Sequence, residues 1–232
     1  VGVVNDRMTP LDAAFLQAED VEPNASLAIA STAVFAGPAP TFAEFRTHLA
    51  GRLPRIPRYR QRAAPVPLDL GPPVWVDDPG FDLDHHLVRV ALPAPGGDAE
   101  LRALTGRVMA TRLDRDRPLW RYWFVEGLAR DRWALISTVH HCMVDGVSGT
   151  DLYRVVLDPD PVPAPPEPDD WRPAAPPSAV ALALRAVGDL AVLPVRGGAA
   201  VIRMLRHPRR VVTAGRGAVA LAASLWPASP ST

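Results

Sequence analysis

Seven apolar or β-branched residues, Trp133 to Val139, run directly into His140-His141-Cys142-Met143-Val144-Asp145-Gly146. The run reads as a buried strand, and the Asp-Gly step as a turn. Ser148 or Thr150 can then cap a helix through Leu152, Val155, Val156 and Leu157. Two histidines therefore sit where a rigid strand runs out, a position from which side chains project into open space. Successive strand residues point to opposite faces. If the strand persists, His140 shares a face with Ile136 and Thr138, and His141 shares the other with Ser137 and Val139. The two then have different tasks. Gly146 suits a backbone with positive φ or a close approach. Asp145 either holds an arginine or histidine or serves as a turn residue.

Upstream, Thr9-Pro10-Leu11-Asp12 is a helix start, with Leu11, Ala14, Phe15 and Ala18 expected on its inner face. Ala28 to Phe35 is a strand of small apolar residues, and Gly37 to Pro40 is a turn. Thr41 to Glu44 is a capping box opening a helix with Phe42, Phe45 and Leu49 inward. Arg55 to Leu70 reads as an ordered surface segment. Val74–Val76 and Leu87–Leu92 are strands. Asp98 is expected to cap a helix carrying Leu101, Leu104, Val108 and Arg112. Trp120 to Leu128 is a strand, turned by Ala129-Arg130-Asp131 into an antiparallel hairpin with the motif strand. This order predicts an α/β domain with a mixed sheet.

Residues 158–177 are rich in Pro and acidic residues and lack periodicity, so they read as an extended linker. From Ser178 onward, Arg185, Arg196, Arg203, Arg206, Arg209, Arg210 and Arg216 face Asp189 alone. The tail is thus basic and the body acidic. Arginines beside Val201, Ile202, Met204 and Leu205 suit an amphipathic helix at an anionic membrane surface, or helices that pack on another domain. The run from Gly217 is too short and broken to span a bilayer. The net formal charge of zero points away from nucleic acid, and a single cysteine excludes an internal disulfide framework and fits a reducing compartment. No secretory signal is read between Val1 and Pro10. The chain begins with Val, so the start is either a literally translated codon, Met8, or the edge of a fragment.

The His140-His141-Cys-Met-Val-Asp145-Gly146 segment matches the HHxxxDG motif of acyl-CoA-dependent acyltransferases. Arg117-Pro118-Leu119-Trp120, Met8 to Leu16, Leu53 to Arg60, and Phe81 to His86 narrow the match. Together they resemble the bacterial wax ester synthase/diacylglycerol acyltransferase family, over about the first half of a typical member. The resemblance implies a mixed-sheet two-layer sandwich, one half of a chloramphenicol-acetyltransferase-like architecture, with C-terminal helices. It implies residues 8–157 as the N-terminal acyltransferase domain, 158–177 as the linker, and 178–232 as a basic helical segment leading to a second half. His141 is implied as the general base, His140 as its support, Asp145 as a structural partner of an arginine, and Gly146 as motif backbone. The donor would be a long-chain acyl-CoA, acting as substrate with no cofactor. The acceptor would be diacylglycerol or a fatty alcohol, giving triacylglycerol or wax ester. Such an enzyme is expected in the cytoplasm, peripherally associated with the inner face of the membrane or with lipid droplets. Family members act in a tunnel between two halves, so this chain alone is expected to turn over poorly without a C-terminal half.

Rival chemistries fit the spacing less well. Adjacent histidines on a strand diverge, whereas zinc-binding helices place theirs four apart, which argues against a metal. Cys142 is badly placed to use its chain neighbour as a base, and Ser137 and Ser148 lack a nucleophile-elbow context. Trp120, Trp123 and Trp133 read as core, and His85-His86 as surface. Arg55 to Arg62 could receive coenzyme A phosphates or form a solvated face. The alternatives to the acyltransferase reading are a non-catalytic lipid- or partner-docking module and an acyltransferase for another hydroxyl acceptor.

Overall fold

Residues 7–22, 24–144, 156–157 and 168–188 are described by the computed structural model. Asp145, Gly146, Ser148 and Thr150, most of the acidic linker and the basic tail beyond residue 188 lie outside the described residues. The chain divides into two units, Val1–Ala179 and Val180–Thr232. In the second, residues 180–188 are helical.

In the first unit, β5 (Trp120–Leu128) and β6 (Arg132–His140) form the expected antiparallel hairpin. Both strands are nearly continuous in apolar and aromatic residues, so both faces need cover. On one face Trp120, Tyr122, Phe124, Leu135 and Val139 pack against Phe45 and Leu49 of α2 (Phe42–Ala50). On the other, Val125, Ala134 and Ile136 pack against Leu101, Leu104 and Val108 of α3 (Asp98–Met109). β1 (Ala28–Ala36) pairs antiparallel with β6, and β4 (Leu87–Ala91) pairs parallel with β5, giving the order β1-β6-β5-β4. The parallel pair is joined through α3, as a parallel connection requires. The α/β class and mixed sheet are as expected, and helices cover this sheet from both faces. A separate two-stranded ribbon, β2 (Gln61–Ala64) with β3 (Val74–Asp77), was not foreseen.

Local chemistry explains the element ends. Thr9 caps α1 (Pro10–Val21), its Oγ1 accepting the Asp12 amide at 3.2 Å. Thr41 and Glu44 close the capping box on α2, the Glu44 carboxylate accepting the Thr41 amide at 2.7 Å. α3 departs from expectation at both ends. Asp98 is its first helical residue rather than its cap, because the Glu100 carboxylate takes the Gly97 amide at 2.8 Å. Arg112 lies past the helix end and crosses to α1 instead. At Gly96, with φ +67°, a Cβ would come within 2.0 Å of the Gly127 carbonyl, so the loop after β4 can cross β5 only with glycine there.

The buried face of α1 also differs from the expected one. It carries Asp12, Ala13, Leu16 and Glu19, while Leu11 is 63% exposed. Two of these are acids, and each has partners: the Thr9 hydroxyl donates to Asp12 at 2.6 Å, and Arg112 and Arg115 reach Glu19. A hydrophobic pattern alone turns this helix the wrong way. The segment from Arg55 to Leu70 is likewise not all surface, since Tyr59 and Arg60 are buried. Residues 168–178 form neither helix nor strand but are pinned to the body. The Asp169 carboxylate pairs with the Arg60 guanidinium, and the Ala174 amide donates to Asp77 at 3.0 Å.

Candidate active site

β6 is held on both sides to its end. The His140 amide donates to the Leu119 carbonyl at 2.9 Å, and the His141 amide to the Leu27 carbonyl at 3.0 Å. The strand then stops, and His141–Met143 form a 3-10 turn. The two histidines leave this point in different environments, as expected.

His140 is 1% exposed. Its Nδ1 accepts the Cys142 amide at 3.1 Å and lies 3.0 Å from the Cys142 Sγ. Its Nε2 lies 3.3 Å from Glu19 Oε1, in ion-pair range but without hydrogen-bond alignment. Burial outweighs the nearby Glu19 charge and pushes its pKa down to about 4. At neutral pH His140 is uncharged and enclosed, with Nδ1 taken by the Cys142 amide and Nε2 turned to Glu19.

Glu19 is also 1% exposed. One oxygen accepts the Leu27 amide at 2.7 Å, and the other meets Arg112 at 3.2 Å and Arg115 at 3.1 Å. Burial works to raise its pKa, but the Leu27 amide, His140 and the two arginines hold it below the usual carboxylate value. Both arginines are fixed in turn, Arg112 on the Glu19 carbonyl at 2.9 Å and Arg115 on the Leu16 carbonyl at 2.8 Å.

His141 is half-buried, and its ring lies on that of Phe15 at 4.0 Å and 26°. Among the described residues nothing hydrogen-bonds its imidazole. Asp145 and Gly146, the other two expected site residues, lie outside the described residues.

Cys142 is 2% exposed, and burial pushes its thiol up to about 12, so it is inert as a nucleophile. Ser137 is nearly buried and lies 3.3 Å from the Ser31 hydroxyl. Among the described residues no group of three His, Cys, Asp or Glu could hold a metal ion. A groove of about 580 Å³ opens beside α1, lined by Ala13, Leu16, Gln17, Arg62 and Val66 among others. Its helical residues lie on the side of α1 away from Phe15, so the groove does not open onto His141.

His86 corrects the expectation that His85-His86 is surface. It is 3% exposed, stacks on Trp120 at 4.3 Å, and its Nδ1 donates to the Trp120 carbonyl at 2.9 Å. Trp120 stacks on Tyr59 at 4.4 Å from its other side, and its Nε1–H donates to the Tyr59 carbonyl at 2.8 Å. This stack anchors the start of β5 beside the end of β6. The Arg-Pro-Leu-Trp segment thus acts through architecture: Leu119 lends the carbonyl that fixes His140, and Trp120 is core. Arg60, among the possible phosphate receivers, is buried and committed to Asp169.

Sequence reasoning missed Phe15, Glu19, Arg112 and Arg115 as site residues. One signal was present. An acid in the last turn of a helix opposes the macrodipole, so Glu19 needed another partner.

The chain is similar to known proteins in sequence and in fold. The model of the wax ester synthase/diacylglycerol acyltransferase catalytic domain matches residues 8–231. A Mycobacterium bovis protein named a putative diacylglycerol O-acyltransferase is 51% identical over 153 residues, 66% of this chain and 33% of the relative. A Mycobacterium tuberculosis protein named a probable diacylglycerol O-acyltransferase is 41% identical over 169 residues, 71% of this chain and 62% of the relative. The chain therefore spans only part of the curated relatives it matches. The solved wax ester synthase/diacylglycerol acyltransferase of Marinobacter aquaeolei VT8 superposes with TM-score 0.52 at 32% identity, covering 63% of this chain and 37% of that one. The first condensation domain of the calcium-dependent antibiotic synthetase superposes with TM-score 0.55 at 19% identity, covering 66% of this chain and 36% of that one, a likeness of fold alone. On the match over residues 8–231, this chain belongs to the wax ester synthase/diacylglycerol acyltransferase family.

Proposed function

We propose that this chain is the base-carrying part of an O-acyltransferase that moves a long-chain acyl group from acyl-CoA to diacylglycerol or a fatty alcohol, with His141 as general base. The observation that carries this reading is the division of labour between the two histidines. His140 is enclosed, with Nδ1 taken by the Cys142 amide and Nε2 turned to Glu19, whereas His141 stands at the strand end with no hydrogen-bond partner for its imidazole among the described residues. The family membership supplies the reaction class.

An alcohol is a poor nucleophile while protonated. His141 takes the hydroxyl proton as the oxygen attacks the thioester carbonyl. The tetrahedral oxyanion collapses, the carbon–sulfur bond breaks, and coenzyme A leaves as the thiol, taking the proton back. The step needs no metal or prosthetic group. Because Cys142 is buried with its thiol held protonated, direct transfer fits better than an acyl-enzyme. Asp145 would stabilise the motif turn by pairing an arginine, with Gly146 supplying backbone freedom. A C-terminal half would complete the tunnel, and the basic tail would hold the enzyme at the inner membrane face or a lipid droplet. Among the described residues no helix is long and apolar enough to cross a membrane.

The test is thiol release and neutral-lipid product from palmitoyl-CoA with diacylglycerol or hexadecanol, with and without His141→Ala. General-base removal is expected to cost roughly 10²- to 10⁴-fold. The preferred product distinguishes triacylglycerol from wax ester synthesis. Equal, measurable rates for wild type and variant in a form that carries the C-terminal half would remove His141 from the chemistry.

A further inference from the structure

We propose that Glu19 is the positioning residue of the histidine pair, fixing His140 as its Nε2–H tautomer so that Nδ1 is free to hold the turn that presents His141. This deepens the acyl-transfer reading and rests on it for its kinetic consequence.

The Glu19 carboxylate lies 3.3 Å from Nε2, short of hydrogen-bond alignment, and an acceptor-only charge at that distance favours the proton on the nitrogen that faces it. The other end of the ring gives the same answer. Nδ1 receives the Cys142 amide at 3.1 Å and must present a lone pair. The carboxylate is itself held at both oxygens, by the Leu27 amide on one and by Arg112 and Arg115 on the other. Rotation away from His140 would break these contacts together.

A second route runs through Leu27. Its amide donates to Glu19, and its carbonyl accepts the His141 amide. Glu19 therefore reaches the base both through the His140 ring and through the backbone. Its place on α1 completes the arrangement. Phe15 and Glu19 are four residues apart and share a helical face. One turn lays Phe15 on His141, and the next sets Glu19 against His140. The helix grips the two adjacent histidines with two adjacent turns.

With Glu19→Ala, one of the two groups that select the proton's place on His140 is gone, and only the Cys142 amide is left to do so. The Nδ1–H form would oppose the Cys142 amide donor to donor, and the Leu27 amide would lose its acceptor. Misplacing a catalytic group by about 1 Å costs on the order of 100-fold. Glu19→Gln keeps an acceptor for His140 and Leu27.

The experiment is nitrogen-15 NMR of the His140 imidazole in the full chain for wild type, Glu19→Gln and Glu19→Ala, with acyl transfer measured on the same samples. The expected result is Nε2–H in wild type and Glu19→Gln, and a measurable admixture of Nδ1–H in Glu19→Ala, where the Cys142 amide alone opposes it. The kcat of Glu19→Ala should fall on the order of 100-fold with KM little changed, and Glu19→Gln should restore most of it. Nδ1–H in the wild type, or a folded Glu19→Ala with wild-type tautomer and kcat, would overturn the proposal. If Glu19→Ala does not fold, Glu19→Gln decides, because a tautomer reversal there overturns it. Absence of acyl transfer in a wild-type form that carries the C-terminal half would count against the proposed reaction, while the nitrogen shifts would still decide the positioning role.

Discussion

The ring of Phe15 lies 4.0 Å from that of His141, inclined by 26°. An imidazole without described hydrogen-bond partners has few other constraints on its χ angles, so this stack sets its aim. Aromatic pairs of this kind contribute about 0.5–1.5 kcal/mol beyond their buried area. Phe15→Ala should therefore lower kcat by up to about tenfold. Phe15→Tyr, which keeps a ring face, should stay near wild type. Acyl-transfer kinetics on both variants check this, and equal loss in both would show that ring stacking is not what matters.

The two buried histidines make stability depend on pH. Burial pushes both His86 and His140 down to about 4, against an ordinary value near 6.5. As pH falls below that ordinary value, the unfolded chain takes up protons that the folded chain refuses. Stability is full above about pH 6.5, declines as pH falls toward about 4, and levels off below. Each histidine contributes at most about 3 kcal/mol across the window. Glu19, with its folded pKa lowered, adds stability that is lost only at the more acid end. Urea midpoints should be clearly lower at pH 5 than at pH 7. His86→Phe keeps the stack on Trp120 but removes one titration, so it should cut the slope roughly in half.

Arg60 shows how residues 168–178 are held. Its side chain is nearly buried, pairs with Asp169, and lies 4.9 Å over the Trp171 ring. Removing one partner of a buried pair leaves an uncompensated charge. Asp169 is itself partly exposed, so water would screen part of that loss. Asp169→Ala is expected to destabilise the body by about 1–3 kcal/mol and to open residues 168–178 to protease. Arg60→Met with Asp169→Ala should recover most of the loss in a urea melt, since no buried charge then remains. If the double variant is as unstable as the single one, charge burial is not the cause.

Much of this fold was legible because it is local. Trp120–Leu128 and Trp133–Val139 are uninterrupted strand formers around a short turn, and the hairpin followed. Thr9-Pro10 and Thr41-Glu44 are caps whose partners lie within three residues. Apart from the one-residue shift of the α3 cap, the misreadings are non-local. Glu19 was not read as a site residue because Arg112 and Arg115, the arginines it meets, lie more than 90 residues away. His86 was placed at the surface because the Trp120 ring that covers it comes from 34 residues on. β2 was missed because Gln61-Arg62-Ala63-Ala64 has no strand signature, and only its pairing with Val74–Asp77 makes it one. At the site, the expectation that the two histidines diverge holds, but by another route: β6 stops at His140 and His141 opens the 3-10 turn. The residues that grip them, Phe15 and Glu19, come from a helix whose orientation only packing could reveal.

Leu68 carries local strain. It is 88% exposed with φ +57°, in a region that costs a β-carbon residue about 1–2 kcal/mol. Asn tolerates that conformation and removes an exposed apolar side chain. Leu68→Asn should raise stability by about 0.5–1 kcal/mol, read as a higher urea midpoint with an unchanged m-value. An unchanged or lower midpoint would mean that the left-handed turn is not strained.

Cys142 separates direct transfer from a thiol relay. It follows the histidines immediately, and its Sγ lies 3.0 Å from His140 Nδ1, a distance that invites a cysteine–histidine dyad. The surroundings oppose that reading. The thiol is 2% exposed and held protonated up to about 12, chiefly by burial. Its neighbouring imidazole is itself pushed down to about 4, making it too weak a base to take the proton. A nucleophilic cysteine needs the opposite on both counts, a lowered thiol and a competent base. Native protein should therefore resist iodoacetamide at pH 7, while urea-unfolded protein reacts at this one cysteine. Cys142→Ser, which leaves the backbone amide on His140 Nδ1, should keep kcat within a few-fold and show no burst of coenzyme A release. Loss of activity in Cys142→Ser together with native-state alkylation would mean that the acyl group passes through the thiol, and that His141 acts on the second half-reaction alone.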